Sequence, residues 1–302
     1  MTEGTRATLA DAVREATAVL AAAGVPSPRV DAELLADHLL GVGLGRLRAL
    51  MLGDTPAPDG YRDLVAERAE RIPLQHITGV AHFRHLELAV GPGVFIPRPE
   101  TESVVQLVID RLRGMPRPKV VDLGTGSGAI AGSIAHEVPG AEVYAVEFSG
   151  FAHAWAARNL LPLGVRLIHG DLRDALPGHN GTFDVVVSNP PYIPAESVPT
   201  EPEVALHDPP EALYGGGADG MELPTAAAAS AARLLVPGGY FVMEHAEVQA
   251  GTIAAMLQRS GLWTAVATHQ DLNGKDRATS AVLADPARDN RGNEHRDERI
   301  GQ

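Results

Sequence analysis

From residue 119 onward, short apolar runs alternate with helical patterns, and this alternation constrains the fold of the chain more than any other feature. Strands that alternate with helices in this way predict βαβ units and a parallel sheet. The runs predict seven strands, near residues 119–123, 142–147, 165–169, 184–188, 239–244, 262–269 and 278–284. We therefore expect an α/β domain that binds its ligand at the carboxyl edge of the sheet.

The first of these runs, residues 120–123, leads directly into a glycine-rich loop and then into a helical stretch, residues 129–137. The loop consists of Gly124, Thr125, Gly126, Ser127 and Gly128. Glycine lets the backbone approach a ligand closely, and the free N–H groups at the start of a helix attract an anionic or polar group. The next run ends at Glu147, about twenty residues on, where a carboxylate can accept hydrogen bonds from ribose hydroxyls. Together these features predict a nucleoside-binding βαβ unit.

The apolar run 184–188 is followed by Asn189, Pro190, Pro191 and Tyr192. Each proline fixes its own φ at about −65°, and the residue before a proline is kept out of the helical region. The segment therefore ends the strand without starting a helix, and we expect its carbonyl groups to point into the cleft. The side chain of Asn189 adds both an acceptor and a donor. A plain proline-rich turn would have the same sequence, but beside a glycine loop the pattern favours a site that holds a planar NH2 group.

A dinucleotide-binding enzyme is an alternative, because Gly124, Gly126 and Ala129 satisfy the pattern G-x-G-x-x-G/A. Gly128 argues against it, since the loop then has the form G-x-G-x-G. The run from Asp122 to Gly128 looks like the first motif of S-adenosylmethionine-dependent methyltransferases. The Asn-Pro-Pro-Tyr segment also has no role in hydride transfer, so the residues favour a methyltransferase.

The rest of the chain predicts three further segments. Residues 1–78 carry helical periodicity and almost no strand signals, so we expect a small helical bundle. Its helices are predicted near residues 9–24, 27–41, 47–51 and 61–69. Residues 79–97 predict a linking β-hairpin with its turn at 91–93. The methyltransferase domain would cover residues 98–284, and the mixed charge of residues 285–302 predicts a disordered tail.

The composition narrows the range of partners. The chain of 302 residues has a net charge of −13, which disfavours nucleic acid as the main partner because binding to phosphates usually requires a basic face. It contains no cysteine, so thiolate metal sites and cysteine nucleophiles are excluded. No apolar run approaches the roughly 18 residues needed to span a bilayer, and the N-terminus lacks the pattern of a signal peptide. We expect a cytoplasmic protein with no metal and no membrane contact.

Several motifs give the chain a resemblance to a known family. Residues 95–102 read Phe-Ile-Pro-Arg-Pro-Glu-Thr-Glu, and residues 73–79 read Pro-Leu-Gln-His-Ile-Thr-Gly. With residues 122–128, the Asn-Pro-Pro-Tyr segment and the stretch 212–220, these motifs resemble the peptide chain release factor N5-glutamine methyltransferases, the PrmC or HemK family. The resemblance covers nearly all of residues 71–284. Asn-Pro-Pro-Tyr alone is shared with adenine methyltransferases, whereas the segment 95–102 is far more particular.

The resemblance implies a seven-stranded, Rossmann-like methyltransferase domain with an N-terminal helical bundle that docks the substrate. It implies S-adenosyl-L-methionine as the methyl donor. The implied acceptor is the side-chain nitrogen of the glutamine in the Gly-Gly-Gln motif of peptide chain release factors. The residues that would bind this glutamine are Asn189, Pro190, Pro191 and Tyr192.

The resemblance also assigns the cofactor site, residue by residue. The methionine part would be lined by Gly124, Thr125, Gly126, Ser127 and Gly128, with Asn189 beside it. Glu147 would bind the ribose, and Asp171 with Leu172 the adenine. Glu147 stands where many relatives have Asp, and Leu172 stands where some have an aromatic residue, which would weaken stacking on the adenine. The segment 148–151 is also unusual for the family, and the segment 207–211 differs from the commonest form of its loop. None of these departures touches the expected chemistry.

The catalytic hypothesis concerns residues at the same edge of the sheet. The side-chain carbonyl of Asn189 and the backbone carbonyl of Pro190 would accept the two N–H hydrogens of the substrate amide, which orients the nitrogen and stabilises the positive charge that develops on it. Tyr192 would pack against the plane of the amide. The pair Glu244-His245 follows another strand of this edge. We expect that pair to lie in a solvated loop.

Two other functions remain open at this stage. An adenine-N6 methyltransferase that acts on DNA or RNA would use the same acceptors, because the exocyclic amine of adenine is conjugated much like an amide. The acidic charge and the lack of an identifiable target-recognition domain argue against it. A non-catalytic protein that binds the cofactor or a release factor belongs to a different class, and the intact Asn-Pro-Pro-Tyr segment and glycine loop disfavour it.

Overall fold

The structure is a computed structural model that describes residues 7–285 and divides into two compact units. The first unit comprises the chain up to Val80, with Val90–Pro92 and Pro199–His207. The second comprises Ala81–Ala89, Gly93–Val198 and the chain from Asp208 onward. Residues 199–207 thus group with the N-terminal helices, although the sequence pattern assigns them to the methyltransferase domain. The predicted tail, apart from Asp285, lies outside the described residues.

The first unit is built of short helices around an apolar core. These helices are α1 (Leu9–Ala22), α2 (Pro28–Leu40), α3 (Leu44–Leu50), α4 (Tyr61–Ala69) and α5 (Leu74–Thr78). α1 begins where Thr8 accepts a hydrogen bond from the backbone N–H of Asp11 (3.2 Å), and α2 ends at Gly41 in the left-handed conformation. The core includes the fully buried side chains of Leu9, Leu20, Leu35 and Leu47. Helical periodicity predicts α1 to α4, whereas α5 has too few residues to show a period.

A buried ion cluster ties α2 and α4 to the helix Pro202–His207 within the first unit. Arg68 on α4 donates to Asp31 Oδ2 (2.7 Å) and to Glu203 Oε1 (2.9 Å), and its side chain is almost fully buried. Arg71 also donates to Glu203, at 2.8 Å to Oε1 and 2.5 Å to Oε2. Removing one partner of a buried pair leaves an uncompensated charge, which costs about 3–5 kcal/mol. These pairs therefore hold residues 199–207 in place within this unit.

The cluster predicts a pH dependence of stability. Burial raises the pKa of Glu203, but hydrogen bonds from Arg71 and Arg68 outweigh it and lower the pKa from its ordinary 4.5 to about 2. Because the folded-state pKa is depressed, the stabilisation is complete above pH 4.5 and is lost as the pH falls towards 2. Glu203→Gln should lower the free energy of unfolding by about 1–2 kcal/mol near pH 6, after allowing for solvent screening, and by much less at pH 3.

Urea unfolding of the wild type and Glu203→Gln at the two pH values measures this difference. Glu67→Gln, at an exposed position on α4, is the matched control and should change stability little at either pH. A loss of stability in Glu203→Gln that is the same at both pH values would contradict the prediction.

The second unit is organised around one seven-stranded sheet. The strands of the chain are β1 (Val80–Phe83), β2 (Leu86–Ala89), β3 (Lys119–Leu123), β4 (Glu142–Glu147), β5 (Arg166–His169), β6 (Phe183–Ser188), β7 (Leu235–Glu244), β8 (Trp263–Gln270) and β9 (Asp276–Leu283). The large sheet has the order β5-β4-β3-β6-β7-β9-β8. The five strands β5, β4, β3, β6 and β7 pair in parallel, each with its neighbour in this order. β9 runs antiparallel to both β7 and β8. The predicted α/β fold and its seven strands are confirmed.

Helices cross between the strands and bury the sheet. They are α6 (Glu102–Leu112), α7 (Ala129–Glu137), α8 (Gly150–Leu160), α10 (Pro210–Leu213), α11 (Glu222–Leu234) and α12 (Ala250–Arg259). The helix Pro202–His207, α9 in chain order, belongs to the first unit. Val121, Val186 and Phe241, on three neighbouring strands, are completely buried. Strands buried on both faces require nearly continuous apolar runs, which is why the sequence predicts them well. Within residues 7–285, no helix is both long and apolar enough to span a bilayer.

The hairpin departs from its predicted form. The sequence predicts strands at residues 82–90 and 94–96 around a turn at 91–93, but the hairpin is β1–β2, and residues 94–96 are not a strand. Its turn contains Arg84, with a left-handed φ of 51°. The backbone N–H of Arg84 donates to Glu102 Oε1 (3.1 Å), and its Nε donates to Glu137 Oε1 (2.6 Å). These distant carboxylates stabilise a turn that its own residues do not indicate.

Candidate active site

The glycine loop between β3 and α7 is folded back against β4. The backbone N–H groups of Gly124 and Thr125 both donate to the carbonyl oxygen of Val146 at 2.9 Å. The φ angles of Gly124, Gly126 and Gly128 are 78°, 59° and 90°, all in the left-handed region. Residues with a side chain rarely adopt these angles, so the glycines are required by the path of the loop.

The three glycines face different surroundings. A Cβ atom at Gly128 would lie 2.7 Å from Cγ of Leu160, so this glycine permits close packing of α7 against α8. A Cβ at Gly126 would meet nothing within 4 Å, and one at Gly124 only Leu172 at 4.0 Å. The loop is therefore packed on the Gly128 side and open in front of Gly124 and Gly126.

Asp122, the last but one residue of β3, anchors the loop from inside. It is completely buried, and its Oδ2 accepts from the hydroxyl of Thr125 (2.6 Å) and the backbone N–H of Ala131 (3.2 Å). Burial raises the pKa of Asp122 to about 7, although both hydrogen bonds act to lower it. The other oxygen, Oδ1, has no hydrogen-bond partner among the described residues. A buried polar atom without a partner is rare in folded proteins and indicates a donor that the described residues do not supply.

Glu147, the last residue of β4, is tied to the same loop. Its two oxygens accept the backbone N–H groups of Gly126 (2.7 Å) and Ser149 (2.8 Å). The side chain is nearly buried, and burial raises its pKa against the effect of these backbone bonds. A carboxylate offers about four lone-pair sites, and the backbone N–H of Phe148 also bonds to Glu147, so acceptor capacity remains for one further donor.

The residues expected at the adenine lie close to the loop but differ in exposure. Leu172 is buried in the core of the sheet, while the carboxylate of Asp171 is paired with Arg173 at 2.9 Å from Nε. The hydrogen bond from Arg173 lowers the pKa of Asp171. Phe148, directly after Glu147, has an exposed side chain, an arrangement that the sequence analysis left without a role. The sequence does show a large aromatic residue directly after Glu147, and this position could have indicated a role, because an exposed ring at a ligand-binding edge offers a stacking surface.

The sheet places Asn189 beside the glycine loop. Leu123 of β3 and Ser188 of β6 are partners in the parallel register, and the hydroxyl of Ser188 donates to the carbonyl of Leu123 at 2.6 Å. Gly124 and Asn189 therefore follow paired residues at the same edge. The side chain of Asn189 is partly exposed, and its Nδ2 donates to Oγ1 of the buried Thr101 at 3.5 Å.

The rest of the Asn-Pro-Pro-Tyr segment is held by its backbone. Pro190 is buried, and the N–H of Tyr192 donates to the carbonyl of Leu213 at 3.2 Å. Nε2 of Gln249 donates to the carbonyls of Tyr192 (2.8 Å) and Asp219 (3.1 Å). Burial raises the pKa of the Tyr192 phenol, so the ring is neutral at physiological pH. Hydrogen bonds to Leu213 and from Gln249 therefore hold the backbone of this segment, and the side chain of Asn189 takes no part in them.

The expected solvated loop at Glu244-His245 is wrong. Glu244 is 3% exposed and His245 is 0% exposed. His245 Nε2 lies 2.8 Å from Oγ1 of Thr279 on the neighbouring strand β9. Burial lowers the pKa of His245, which favours its neutral form. The sequence did not indicate this, because the strand partner that encloses the pair lies 34 residues further along the chain.

Both parts of the chain resemble known protein families. Residues 11–79 match the family model described as PrmC N-terminal domain, and residues 85–218 match the one described as Methyltransferase small domain. The chain is 50% identical over 277 residues to the release factor glutamine methyltransferase of Streptomyces coelicolor, covering 91% of this chain and 98% of that protein. The chain belongs to the release factor glutamine methyltransferase family.

Two further matches show the breadth of proteins related to this family member. A 4-amino-L-phenylalanine/4-methylamino-L-phenylalanine methyltransferase of Streptomyces pristinaespiralis is 40% identical, covering 88% of this chain and 92% of that protein. Among solved structures, the catalytic domain of hMettl16 in complex with MAT2A 3′UTR hairpin 6 superimposes with a TM-score of 0.53 at 14% identity, covering 74% of this chain and 82% of that one. This second likeness shows the methyltransferase fold alone.

Proposed function

We propose that this release factor glutamine methyltransferase family member transfers a methyl group from S-adenosyl-L-methionine to the side-chain amide nitrogen of the Gly-Gly-Gln glutamine in peptide chain release factors. The observation that carries the proposal is the pairing of Leu123 with Ser188, which brings the glycine loop and Asn189 to adjacent positions. A donor site and an acceptor site must adjoin for a methyl group to pass between them. Since translation termination is a cytoplasmic process, the proposal includes a cytoplasmic location.

The residues present fit S-adenosylmethionine. The space in front of Gly126 and the unpartnered Oδ1 of Asp122 suit the amino-acid end of the cofactor, which carries N–H donors. Glu147 keeps acceptor capacity for a ribose hydroxyl. Leu172 and the exposed ring of Phe148 offer apolar surface for the adenine. The Phe148 side chain would supply the stacking that Leu172, in place of an aromatic residue, does not.

The chemistry depends on how the substrate nitrogen is held. When bound, the cofactor supplies a methyl group on a sulfonium; an N–C bond forms as the C–S bond breaks, and the nitrogen loses one proton to solvent. An amide nitrogen is a poor nucleophile, because its lone pair is delocalised into the carbonyl group. The carbonyl oxygens of Asn189 and Pro190 accept its two hydrogens and stabilise the positive charge that develops there. Fixed acceptors of this kind contribute about 3–4 kcal/mol each in the transition state.

Tyr192 completes the acceptor site in this proposal. Its ring packs on the amide plane and excludes water, which strengthens the electrostatic interactions of Asn189. The backbone of Tyr192 is fixed by Leu213 and Gln249, so the ring needs no rearrangement to take this position. Preorganisation of this kind lowers the entropy cost of binding a flexible glutamine side chain.

Replacing Glu147 with alanine should weaken cofactor binding about 10- to 100-fold, because hydrogen bonds to a charged group contribute about 1.5–3 kcal/mol. The variant also loses the two bonds that hold Gly126 and Ser149, which adds to the effect. Isothermal titration calorimetry with S-adenosylmethionine measures the dissociation constant. Glu142→Ala, a strand acid at the opposite end of β4, is the control and should bind normally. An unchanged affinity in Glu147→Ala would place the ribose elsewhere.

Mass spectrometry tests the proposed substrate. The protein is incubated with S-adenosylmethionine and a release factor, and the peptide that contains Gly-Gly-Gln is examined for one added methyl group. A release factor with that glutamine replaced by alanine is the control and should remain unmodified. Tight binding of the release factor without methyl transfer would instead favour the non-catalytic alternative.

The Streptomyces pristinaespiralis relative supports a second candidate acceptor. That protein acts on 4-amino-L-phenylalanine, whose aromatic NH2 group is planar and conjugated like a carboxamide. The same two carbonyl acceptors would hold either group. Parallel reactions with 4-amino-L-phenylalanine and with an adenine-containing oligonucleotide therefore belong in the assay. Transfer to the release factor at a far higher kcat/KM than to either would support the proposed substrate.

A further inference from the structure

A second polar side chain lies at the edge where Asn189 leaves the sheet. In the parallel register, Ser188 of β6 pairs with Met243 of β7, so Asn189 and Glu244 are the next residues on two adjacent strands. Glu244 is only 3% exposed. A buried carboxylate at the edge of a ligand cleft requires an explanation, because its desolvation is costly unless it performs a task.

The contacts of Glu244 point towards Asn189. Hydrogen bonding from the hydroxyl of Thr101 and from the amide of Asn189 favours the ionised form of Glu244. Thr101 is itself 4% exposed, and its Oγ1 accepts from Nδ2 of Asn189 at 3.5 Å. Oε2 of Glu244 is buried and has no hydrogen-bond partner among the described residues. The NH2 end of the Asn189 amide thus lies beside two acceptors, one of them a carboxylate.

An asparagine amide has two ends with opposite hydrogen-bonding character. Only the carbonyl end can accept a hydrogen from a substrate NH2 group, whereas the NH2 end would meet that group donor to donor. An ionised carboxylate accepts only, so it attracts the NH2 end of Asn189 and repels the Oδ1 end. A rotation of 180° about the last bond of Asn189 would reverse both contacts and leave the substrate without its acceptor.

We propose that Glu244, together with Thr101, is a positioning residue that holds the amide of Asn189 with its carbonyl oxygen towards the methyl-acceptor nitrogen. The inference rests on the proposed function and adds to it the group that orients the acceptor. The negative charge behind Asn189 also polarises its carbonyl and stabilises positive charge on the nitrogen in front of it. Glu244 itself does not contact the substrate.

The surroundings of Glu244 make this arrangement sensitive to pH. Burial raises the pKa of Glu244 to about 7, against the hydrogen bond from Thr101 and the positive charge of Arg277, while the negative charge of Glu100 raises it further. The phenol of Tyr192 also faces this cluster and stays neutral. Below the pKa, the protonated carboxyl becomes a donor that can bind Oδ1 of Asn189 and so stabilise the reversed amide. The turnover rate should therefore rise with pH as Glu244 ionises in the neutral range, where the pKa of Asp122 beside the glycine loop also lies.

Glu244→Gln tests the proposal, because it keeps the shape of the side chain and removes its charge. We expect kcat to fall about 10- to 100-fold, with the affinity for S-adenosylmethionine within twofold of the wild type. The part of the acid limb of the pH–rate profile that Glu244 contributes should disappear, and any part due to Asp122 should remain. Glu247→Gln, at an exposed position three residues on, is the matched control and should retain both the rate and the pH profile.

A double-mutant cycle separates positioning from a general structural role. If Glu244 acts through Asn189, then Glu244→Gln should have no further effect on the rate in an Asn189→Ala background. An equal loss in both backgrounds, or a near-normal rate and pH profile in Glu244→Gln alone, would overturn the proposal.

A spectroscopic readout does not depend on the substrate. The side-chain amide signals of Asn189 in a 15N NMR spectrum are identified by their absence from Asn189→Ala. In the wild type they should titrate with Glu244 in the neutral range, and in Glu244→Gln they should not. Failure of methyl transfer to a release factor by the wild type would count against the proposed function. Amide signals of Asn189 that do not change as Glu244 ionises would count against this inference alone.

Discussion

Replacing Asn189 with alanine is expected to lower kcat for methyl transfer about 10²- to 10³-fold, while the affinity for S-adenosylmethionine changes less than threefold. The variant removes the side-chain carbonyl that we propose accepts a hydrogen from the substrate amide, but it leaves the glycine loop and its bonds to Val146 and Glu147 intact. Because the backbone of Tyr192 is held by Leu213 and Gln249, the segment should keep its position. Steady-state kinetics with a release factor and calorimetry with the cofactor measure the two quantities.

The matched control for this variant is Asn180→Ala. Asn180 lies in an exposed turn before β6, at the opposite end of that strand from the Asn-Pro-Pro-Tyr segment, and its Oδ1 accepts from Arg233 at 2.8 Å. Its loss should leave kcat unchanged. Near-normal turnover by Asn189→Ala would rule out the role of the side-chain carbonyl, and a parallel loss of cofactor affinity would show that Asn189 serves the donor site instead.

Gly220→Ala is expected to lower the free energy of unfolding by about 2–4 kcal/mol and to reduce kcat at least tenfold. A Cβ at Gly220 would lie 2.2 Å from the carbonyl oxygen of Tyr192 and 2.9 Å from the carbonyl carbon of Ile193, and φ at this position is 73°. Both atoms belong to the backbone, so no side-chain rotation can relieve the contact. The Asn-Pro-Pro-Tyr segment must shift, and a displacement of about 1 Å at a reacting group can cost about 100-fold in rate.

Urea unfolding and steady-state kinetics test this second prediction together. Gly215→Ala should behave alike, because a Cβ there would lie 2.7 Å from the carbonyl oxygen of Pro191 and 2.1 Å from that of Gly220. Gly178→Ala is the control, since Gly178 has no left-handed φ and a Cβ there would meet nothing within 4 Å. Normal stability and turnover in Gly220→Ala would show that the segment 215–220 tolerates movement away from the active site.

The sequence predicted the sheet and the position of both motifs because these features are local. A strand buried on both faces must be apolar throughout, as residues 120–123 and 184–188 are, and such runs can be recognised without knowledge of their partners. The glycine loop follows from backbone angles that side chains do not permit. Since parallel strands share one carboxyl edge, the order of the elements was enough to place Glu147 and Asn189 at the same site.

The features that the sequence did not indicate all depend on contacts between distant residues. The hairpin turn forms at Arg84 because Glu102 and Glu137 bind it, and the sequence near Arg84 carries no sign of either. Residues 199–207 group with the helical bundle through Glu203, whose partner Arg71 lies 132 residues earlier in the chain. Local periodicity cannot report a bond between side chains so far apart.

The sequence by itself determined the elements, the glycine loop and the Asn-Pro-Pro-Tyr segment, and with them the family of the protein. Only the tertiary structure decided which polar side chains surround Asn189. Glu244 and Thr101 reach Asn189 because β6 lies between β3 and β7 in the sheet and because α6 begins beside them. The physical reason is that residue patterns along the chain encode burial and backbone angles. The orientation of the Asn189 amide depends instead on Glu244, a charged residue that the order of the strands brings next to it.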